Sequence, residues 1–422
     1  MPSRSLYICY FGVREPLVQT QVLPYLRELV AGGHEMTLLT FEPDLKAKWT
    51  SEQIDEMRER LAADGIAWHC LAYHKWPSAP ATAWDVFAGA FRVRRLMRET
   101  DFDLLHCRVL IPALMAALAR RFSRRRQRPK LLFDIRGFFP EEYTDAGRWP
   151  ENGWLYRTAK RVERWLLREA DGFVVLTEKA RDILFPELTG SSVAEPRKKD
   201  KLGRPVEVIP CCVDLDERFS GDAATLRQRT RTRLNLDGRR VIVYAGSFGG
   251  WYMTDEMMSL FETARRERPE AFAMILTQRD ADAVRDGLLA RGFADEDMLV
   301  ASVRPEEIGE YLNAADVAIS FIKACFSKQS SSPTKLAEYL ACGLPIIANR
   351  GVGDVDPLIE DNRVGVILDE FSPAGYSKAL AEAENLGDVG QRCRETARRE
   401  FDLKTVGGTR YRRMYDALLN EQ

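Results

Sequence analysis

Residues 327–354 read SKQSSSPTKLAEYLACGLPIIANRGVGD. Three serines and a proline run into a helix-like segment. It stops at Gly343-Leu344-Pro345 and resumes as a strand that ends in a glycine-rich loop. Helix, tight turn, buried strand and loop form one link of a parallel βαβ chain. Ser332 suits the N-cap, and Pro333 suits the first helical position because its missing N–H would have been unpaired anyway. Thr334 and Lys335 follow in the first turn. A helix start leaves amide N–H groups unpaired and carries about half a positive charge, so it can hold a phosphate. Lys335 adds a full charge at that end, and Glu338, three residues on, shares the face. A carboxylate so placed can accept hydrogen bonds from the vicinal hydroxyls of a ribose. The same residues are equally compatible with an ordinary capped helix carrying solvated surface charges.

Working outward, short apolar runs alternate with amphipathic stretches along the whole chain. Strands are expected at 6–11, 36–41, 103–107, 131–135, 172–176 and 206–210, with a helix over 19–31 ended by Gly32-Gly33. A second series follows at 240–245, 272–277, 298–302, 317–321 and 345–349, with a helix over 254–265. Two doubly wound Rossmann-like α/β domains facing across a cleft are expected: an acceptor-binding domain over 1–211 and a donor-binding domain over 212–400. The remaining 401–422 form an amphipathic helix able to pack on either domain, the N-terminal one included. In open parallel sheets the ligand sits beyond the carboxyl ends of the strands, where strand order reverses. The tip of the segment beginning at Ser332 is therefore expected to open between the domains.

The chain has 422 residues, too many for one typical core. Its net charge of −1 is unevenly spread. Residues 1–210 hold 34 Lys/Arg against 28 Asp/Glu, whereas residues 211–422 hold 28 against 35. The first half is the one suited to an anionic surface. The eight cysteines show no C-x-x-C and no zinc spacing, which suits reduced thiols and excludes a disulfide framework or a zinc ribbon. No stretch reaches about 18 apolar residues, so a cytoplasmic protein is expected, peripheral on the inner face of the membrane if it meets one.

Two more loops are expected to converge on the 334–341 helix. Tyr244-Ala245-Gly246-Ser247-Phe248-Gly249-Gly250 follows a strand, and its glycines allow close backbone approach to a ligand. Asn349-Arg350-Gly351-Val352-Gly353-Asp354 follows another, and Arg279 ends a third. Together with the opening stretch, SSPTKLAEYLACGLPIIANRGVGDVD resembles the donor-site signature of glycosyltransferase family 4, whose members have the two-domain GT-B fold. EPLVQTQVLPYLRELVAGGHEMTLLTFE, FDIRGFFPEEYTDAG, ADGFVVLTEKA, VIPCCVDLDERF and VYAGSFGGWY are similar to successive family stretches in the expected order. The resemblance implies donor contacts from Gly246, Ser247, Gly249, Gly250, Arg279, Ser330, Ser331, Ser332, Thr334, Lys335 and Glu338. Of the family's two motif glutamates, eight positions apart, Glu338 matches the second and Ser330 replaces the first. The glycine-rich loop carries Ser247 and Met253 where cations are usual, so Lys335, Arg279 or Arg136 must neutralise the diphosphate, with Lys335 favoured.

In the first domain, His106, Arg108 and Arg136 end strands and are candidates, with Lys335, for the catalytic set. Gly12, Gln19, Gln21 and Asp134 are candidates for the acceptor side. His106 is as compatible with a hydrogen-bonded core histidine. The acid pair Glu141-Glu142 reads as a solvated loop. Seven basic residues lie between Arg120 and Lys130, and 91–98 and 156–168 are also basic. They suit either solvated helix ends or an anionic lipid surface. No nucleic-acid recognition motif is present.

The resemblance implies a retaining, metal-independent hexosyltransferase as the expected function. It would move a sugar from a nucleotide diphosphate sugar, its co-substrate, with no cofactor, to a hydroxyl of a glycan or lipid-linked acceptor in cell-surface polysaccharide or glycolipid synthesis. A nucleotide-sugar epimerase of the same fold and a catalytically silent nucleotide-sugar-binding subunit stand as alternatives. A dinucleotide oxidoreductase would need G-x-G-x-x-G after the first strand, and Phe11-Gly12-Val13-Arg14 lacks it.

Overall fold

The computed structural model describes residues 3–122, 128–190 and 198–420. The chain divides into two compact units, Met1–Pro210 with Leu403–Gln422, and Cys211–Asp402. The first holds a seven-stranded sheet of β1 (Arg4–Cys9), β2 (Glu35–Pro43), β3 (Ile66–Tyr73), β4 (Leu104–Arg108), β5 (Lys130–Ile135), β6 (Gly172–Val175) and β7 (Val206–Val208). The second holds a six-stranded sheet of β8 (Arg240–Ala245), β9 (Ala271–Leu276), β10 (Met298–Ala301), β11 (Val317–Ser320), β12 (Ile346–Asn349) and β13 (Gly365–Leu368). The spatial orders are β3-β2-β1-β4-β5-β6-β7 and β10-β9-β8-β11-β12-β13. Every pairing is parallel, as for β1 with β4 in the register Tyr7 to His106. Strand order therefore reverses between β1 and β4 in one sheet and between β8 and β11 in the other, the places where such sheets bind ligands.

The apolar runs form these strands because helices cover both faces and leave no side for polar alternation. β1, β4 and β9 are buried almost from end to end. The two strands with no sequence expectation, β3 and β13, are edge strands. Most of β3 is only partly buried, and its His69 and Cys70 interrupt the apolar run. The helix expected over 19–31 is two helices, Pro16–Gln21 and Leu23–Ala31, broken at Val22 just before Pro24, which has no N–H to donate. The closing segment is a π-helical turn, Leu403–Gly408, followed by the helix Thr409–Leu419. It belongs to the first unit, where Leu418 and Met414 lie against Gly172 of β6 and Tyr415 against the ring of His34.

Val109, immediately after β4 at the first reversal, has φ of 66°. A β-branched residue is strained there, and its N–H is held by the carbonyl of Asp134 at 2.9 Å.

Candidate functional site

In the second unit, β8 ends at Ala245 and the chain turns at Gly246, whose φ is +140°. A Cβ there would stand 2.7 Å from Nζ of Lys335 and would push that ammonium aside, and the φ itself favours glycine. Lys335 sits one residue into the helix Thr334–Ala341 and is buried. Its Nζ lies 4.1 Å from the ring centroid of Tyr244 and 4.3 Å from that of Tyr252. Tyr244 comes from β8 and Tyr252 from the far end of the glycine-rich loop. Two aromatic faces attract the cation, but neither accepts a conventional hydrogen bond. Lys335 Nζ has no hydrogen-bond partner among the described residues. Burial pulls its pKa down to about 7, opposed by the nearby charge of Glu338.

The loops around this amine are fastened to one another. Met253 donates to the carbonyl of Phe321, Lys323 donates to that of Trp251, and Tyr252 pairs with Ile322, so the glycine-rich loop is tied to the segment after β11. Asn349 at the end of β12 both accepts from and donates to the backbone of Ile322, at 2.9 and 2.8 Å. Gly353 donates to the carbonyl of Lys328 at 2.8 Å, and Lys328 lies over the ring of Trp251. The carboxyl ends of β8, β11 and β12 and the start of the 334–341 helix thus form one rigid rim. Leu336 N–H is taken by the Pro333 carbonyl at 3.1 Å, and the helix start adds partial positive charge beside Lys335.

The expected donor residues take different places on this rim. Ser247 accepts from the Tyr244 hydroxyl through its carbonyl at 2.5 Å and is exposed, as are Gly249 and Gly250. Ser330 is buried in the turn Ser327–Ser330, its hydroxyl donating to the carbonyl of Ser327 at 2.7 Å. Ser331 donates its N–H to the Lys328 carbonyl, and Thr334 is half-buried in the first turn. Ser332 is not the N-cap. Pro333 occupies that position without side-chain capping, and Ser332 Oγ accepts instead from the N–H of Cys211 at 3.1 Å. The serine is therefore spent on fastening the start of the unit. Arg279 is exposed on the loop after β9, and its backbone N–H and carbonyl meet the Thr277 hydroxyl. Glu338 is not a solvated charge: its Oε1 accepts from Arg218 at 2.7 Å. Arg218 escaped the sequence reading because it lies 120 residues away in a four-residue helix with no periodic signal.

In the first unit the strand-end residues behave otherwise. His106 is buried, with Nδ1 3.0 Å from the Tyr415 hydroxyl and Nε2 3.4 Å from Asp134. Burial lowers its pKa, so the ring is neutral at pH 7. Asp134 is wholly buried and meets Arg136 at 2.9 Å and the Tyr411 hydroxyl at 2.8 Å. Burial alone would raise this carboxyl, yet Arg136, His106 and Arg108 hold it well below the ordinary carboxylate range. Arg136 also reaches the Tyr411 hydroxyl, and Arg108 is buried against the carbonyl of Gln21 at 3.2 Å. His106 and Asp134 thus take part in a buried network that binds the closing helix to the sheet.

Gly12 packs against Glu42 and Pro43, and Gln19 donates to the carbonyl of Val13 at 2.6 Å. Gln21 is buried. Glu42, which the sequence reading passed over, is a buried carboxylate accepting from Val13 N–H at 2.9 Å and from Thr40 at 2.5 Å, and burial raises its pKa. Glu141 is likewise no solvated loop acid, since it is buried against Lys160 and Tyr156. Of the stretch Arg120–Lys130, residues 123–127 lie outside the described residues. No group of three or more metal-ligating side chains occurs among the described residues.

Comparison with known proteins fits this geometry. Residues 18–188 match the family model Glycosyl transferase 4-like domain, and residues 227–400 match Glycosyl transferases group 1. The whole chain superposes on sucrose-phosphate synthase from Thermosynechococcus elongatus with a TM-score of 0.70 at 15% identity, covering 98% of this chain and 100% of that one. For Anabaena HepE in complex with UDP and glucose the TM-score is 0.66 at 14% identity, with 98% and 100% covered. The fold is that of the GT-B glycosyltransferases. A 4-like domain match followed by a group 1 domain match marks the chain as a GT-B glycosyltransferase of this general type. Among curated proteins it is similar to 2-deoxystreptamine glucosyltransferase of Streptomyces kanamyceticus, 26% identical over 37% of this chain and 38% of that protein. It is also similar to alpha-D-kanosaminyltransferase of the same organism, 23% identical over 57% and 58%. These matches span less than two thirds of either relative.

Proposed function

We propose that the protein transfers a sugar from a nucleotide diphosphate sugar to an acceptor hydroxyl, with the second unit binding the donor. The observation that carries this reading is the Lys335 ammonium, buried between two tyrosine rings beneath Gly246 and lacking a hydrogen-bonding counter-group. A buried cation in that state costs free energy unless an anion completes it. A diphosphate at the 334–341 helix start would gain the first-turn amides and Lys335 together. Glu338, oriented by Arg218, is the group that would hold the ribose hydroxyls. Structures with this fold that bind UDP and UDP-glucose favour a uridine donor.

As the bond between the anomeric carbon and the phosphate oxygen breaks, negative charge grows on the leaving diphosphate. Amides and an ammonium already aimed there stabilise it without reorganisation. In this reading the sugar is a hexose, the anomeric configuration is kept, no metal takes part, and the acceptor is a cytoplasmic-side precursor of a polysaccharide or glycolipid.

A thermal-shift screen against UDP, GDP, ADP, TDP and their sugars tests it. One nucleoside diphosphate is expected to stabilise the protein, and Lys335→Met and Glu338→Gln are each expected to remove most of that shift. No stabilisation by any of them, or a full shift in both variants, would overturn the reading. Ser330, folded into its own turn where a carboxylate is usual, gives one specific reason to run the acceptor assay as well: donor binding without turnover would make this a nucleotide-sugar-binding subunit.

A further inference from the structure

The helix Ser78–Glu99 covers one face of the first sheet with Val86, Val93, Leu96 and Met97. Its outer face has a different composition. Trp84, Phe87 and Phe91 are 64%, 69% and 72% exposed. At 3.6 residues per turn these three, with Arg95 and Arg98, fall within an arc of about 80°. Soluble proteins scatter exposed aromatics singly; a stripe of three large rings on one helix face calls for a covering phase. Lys75 and Trp76 just before the helix are also exposed.

The helix Leu110–Arg121, buried along most of its length, packs between this element and the helix Trp154–Glu169. The outer face of the latter repeats the arrangement with more charge. Trp154 is 72% exposed, and Arg157, Arg161, Arg164 and Arg168 follow it on the same arc. Arg95 is paired with Glu99, but among the described residues Arg157, Arg161 and Arg168 make no ion pair. Aromatic rings ahead of arginines on an amphipathic helix suit the boundary of a lipid layer, where rings enter the headgroup region and arginines meet lipid phosphates.

We propose that the outer faces of helices 78–99 and 154–169 form a membrane-docking surface for anionic lipid, with Trp84, Phe87 and Phe91 entering the interface. A second copy of the chain is disfavoured as occupant, because the stripe is flanked by cations on both helices and a self-pairing face would set those cations against each other. The inference does not depend on the donor site, which lies in the other unit.

The test uses the full chain in co-sedimentation with vesicles of phosphatidylcholine alone and of equal parts phosphatidylcholine and phosphatidylglycerol. Binding is expected to the second kind only. The triple variant Trp84→Ser, Phe87→Ser, Phe91→Ser is expected to bind roughly tenfold or more weakly. Arg157→Gln with Arg161→Gln is expected to lose about fivefold per arginine, a loss that high salt erases. Circular dichroism melts, and the nucleotide-induced thermal shift if the donor reading holds, should match wild type in all variants. Because the substituted side chains are exposed, folding is not at risk. Absence of binding to the anionic vesicles, or equal binding by wild type and the triple variant, overturns the proposal. So does a wild-type dimer that the triple variant dissolves without any lipid binding.

Discussion

Two buried polar centres sit at comparable places, one in each unit, and differ in one respect. In the first unit, Asp134 is met by Arg136, His106 and Tyr411, and His106 is closed on its other side by Tyr415. In the second, Lys335 is enclosed by aromatic rings and meets no hydrogen-bonding partner. A network closed by ion pairs rigidifies a fold, whereas a buried charge left unpaired is a cost the fold bears for a ligand. Both sets of residues end strands or begin helices, so position along the chain does not separate them. Ion pairing does.

The sharpest way to break this comparison is to remove the centre of the ion-paired network. Asp134→Ala leaves Arg136 and His106 buried without their carboxylate. It should lower the stability of the first unit by about 3–5 kcal/mol, read as the shift of its own urea transition, while nucleotide binding persists. A loss below about 1 kcal/mol would mean the network is not structural. Lys335→Met makes the opposite change. Nucleoside diphosphate affinity should fall by about 1.5–3 kcal/mol in calorimetry. The unliganded second unit should melt no lower than wild type, because the unpaired cation is gone and its volume is kept.

Proton linkage separates the two centres further. A bound diphosphate favours charged Lys335 and raises its pKa from about 7. Binding of a nucleotide sugar is therefore strongest below about pH 7 and weakens above it, by up to about tenfold per pH unit. The stability of the unliganded second unit runs the other way. Between about pH 7 and the ordinary lysine range the unfolded chain holds a proton that the folded one has released, so stability rises with pH. The first unit responds on the acid side. His106 stays neutral when folded and Asp134 stays charged, so stability is lost as pH falls below their ordinary ranges. Unfolding curves at acid and alkaline pH, with the two transitions resolved, check both signs. The smallest effect is expected at Arg218→Ala, about 1 kcal/mol in nucleotide binding, because Glu338 keeps its place on the helix and loses only its brace. A loss as large as that of Lys335→Met would mean Arg218 touches the donor itself.

Much of the architecture was legible along the chain. Buried parallel strands are apolar throughout, so eleven of the thirteen strands could be read from short apolar runs. The exceptions, β3 and β13, lie at sheet edges: in β3 partial burial admits His69 into the run, and β13 is only four residues long and starts at a glycine. The glycine-rich turn at 246 and the Lys335 helix start were equally legible, since a loop after one strand and a helix before another carry local signals. The aromatic stripe of helix 78–99 was legible only in part, because its basic end is conspicuous while Trp84, Phe87 and Phe91 look like core until their neighbours are known.

The amino-acid sequence by itself determined where the strands and helices lie and which loops stand at the carboxyl ends of the sheets. Those features follow from side-chain periodicity and backbone chemistry within a few residues. Only the tertiary structure decided what each polar side chain does there. It turned His106 and Asp134 inward under the closing helix, set Arg218 against Glu338 across 120 residues, and enclosed Lys335 without a partner. The reason is that burial and charge pairing are set by residues distant in the chain.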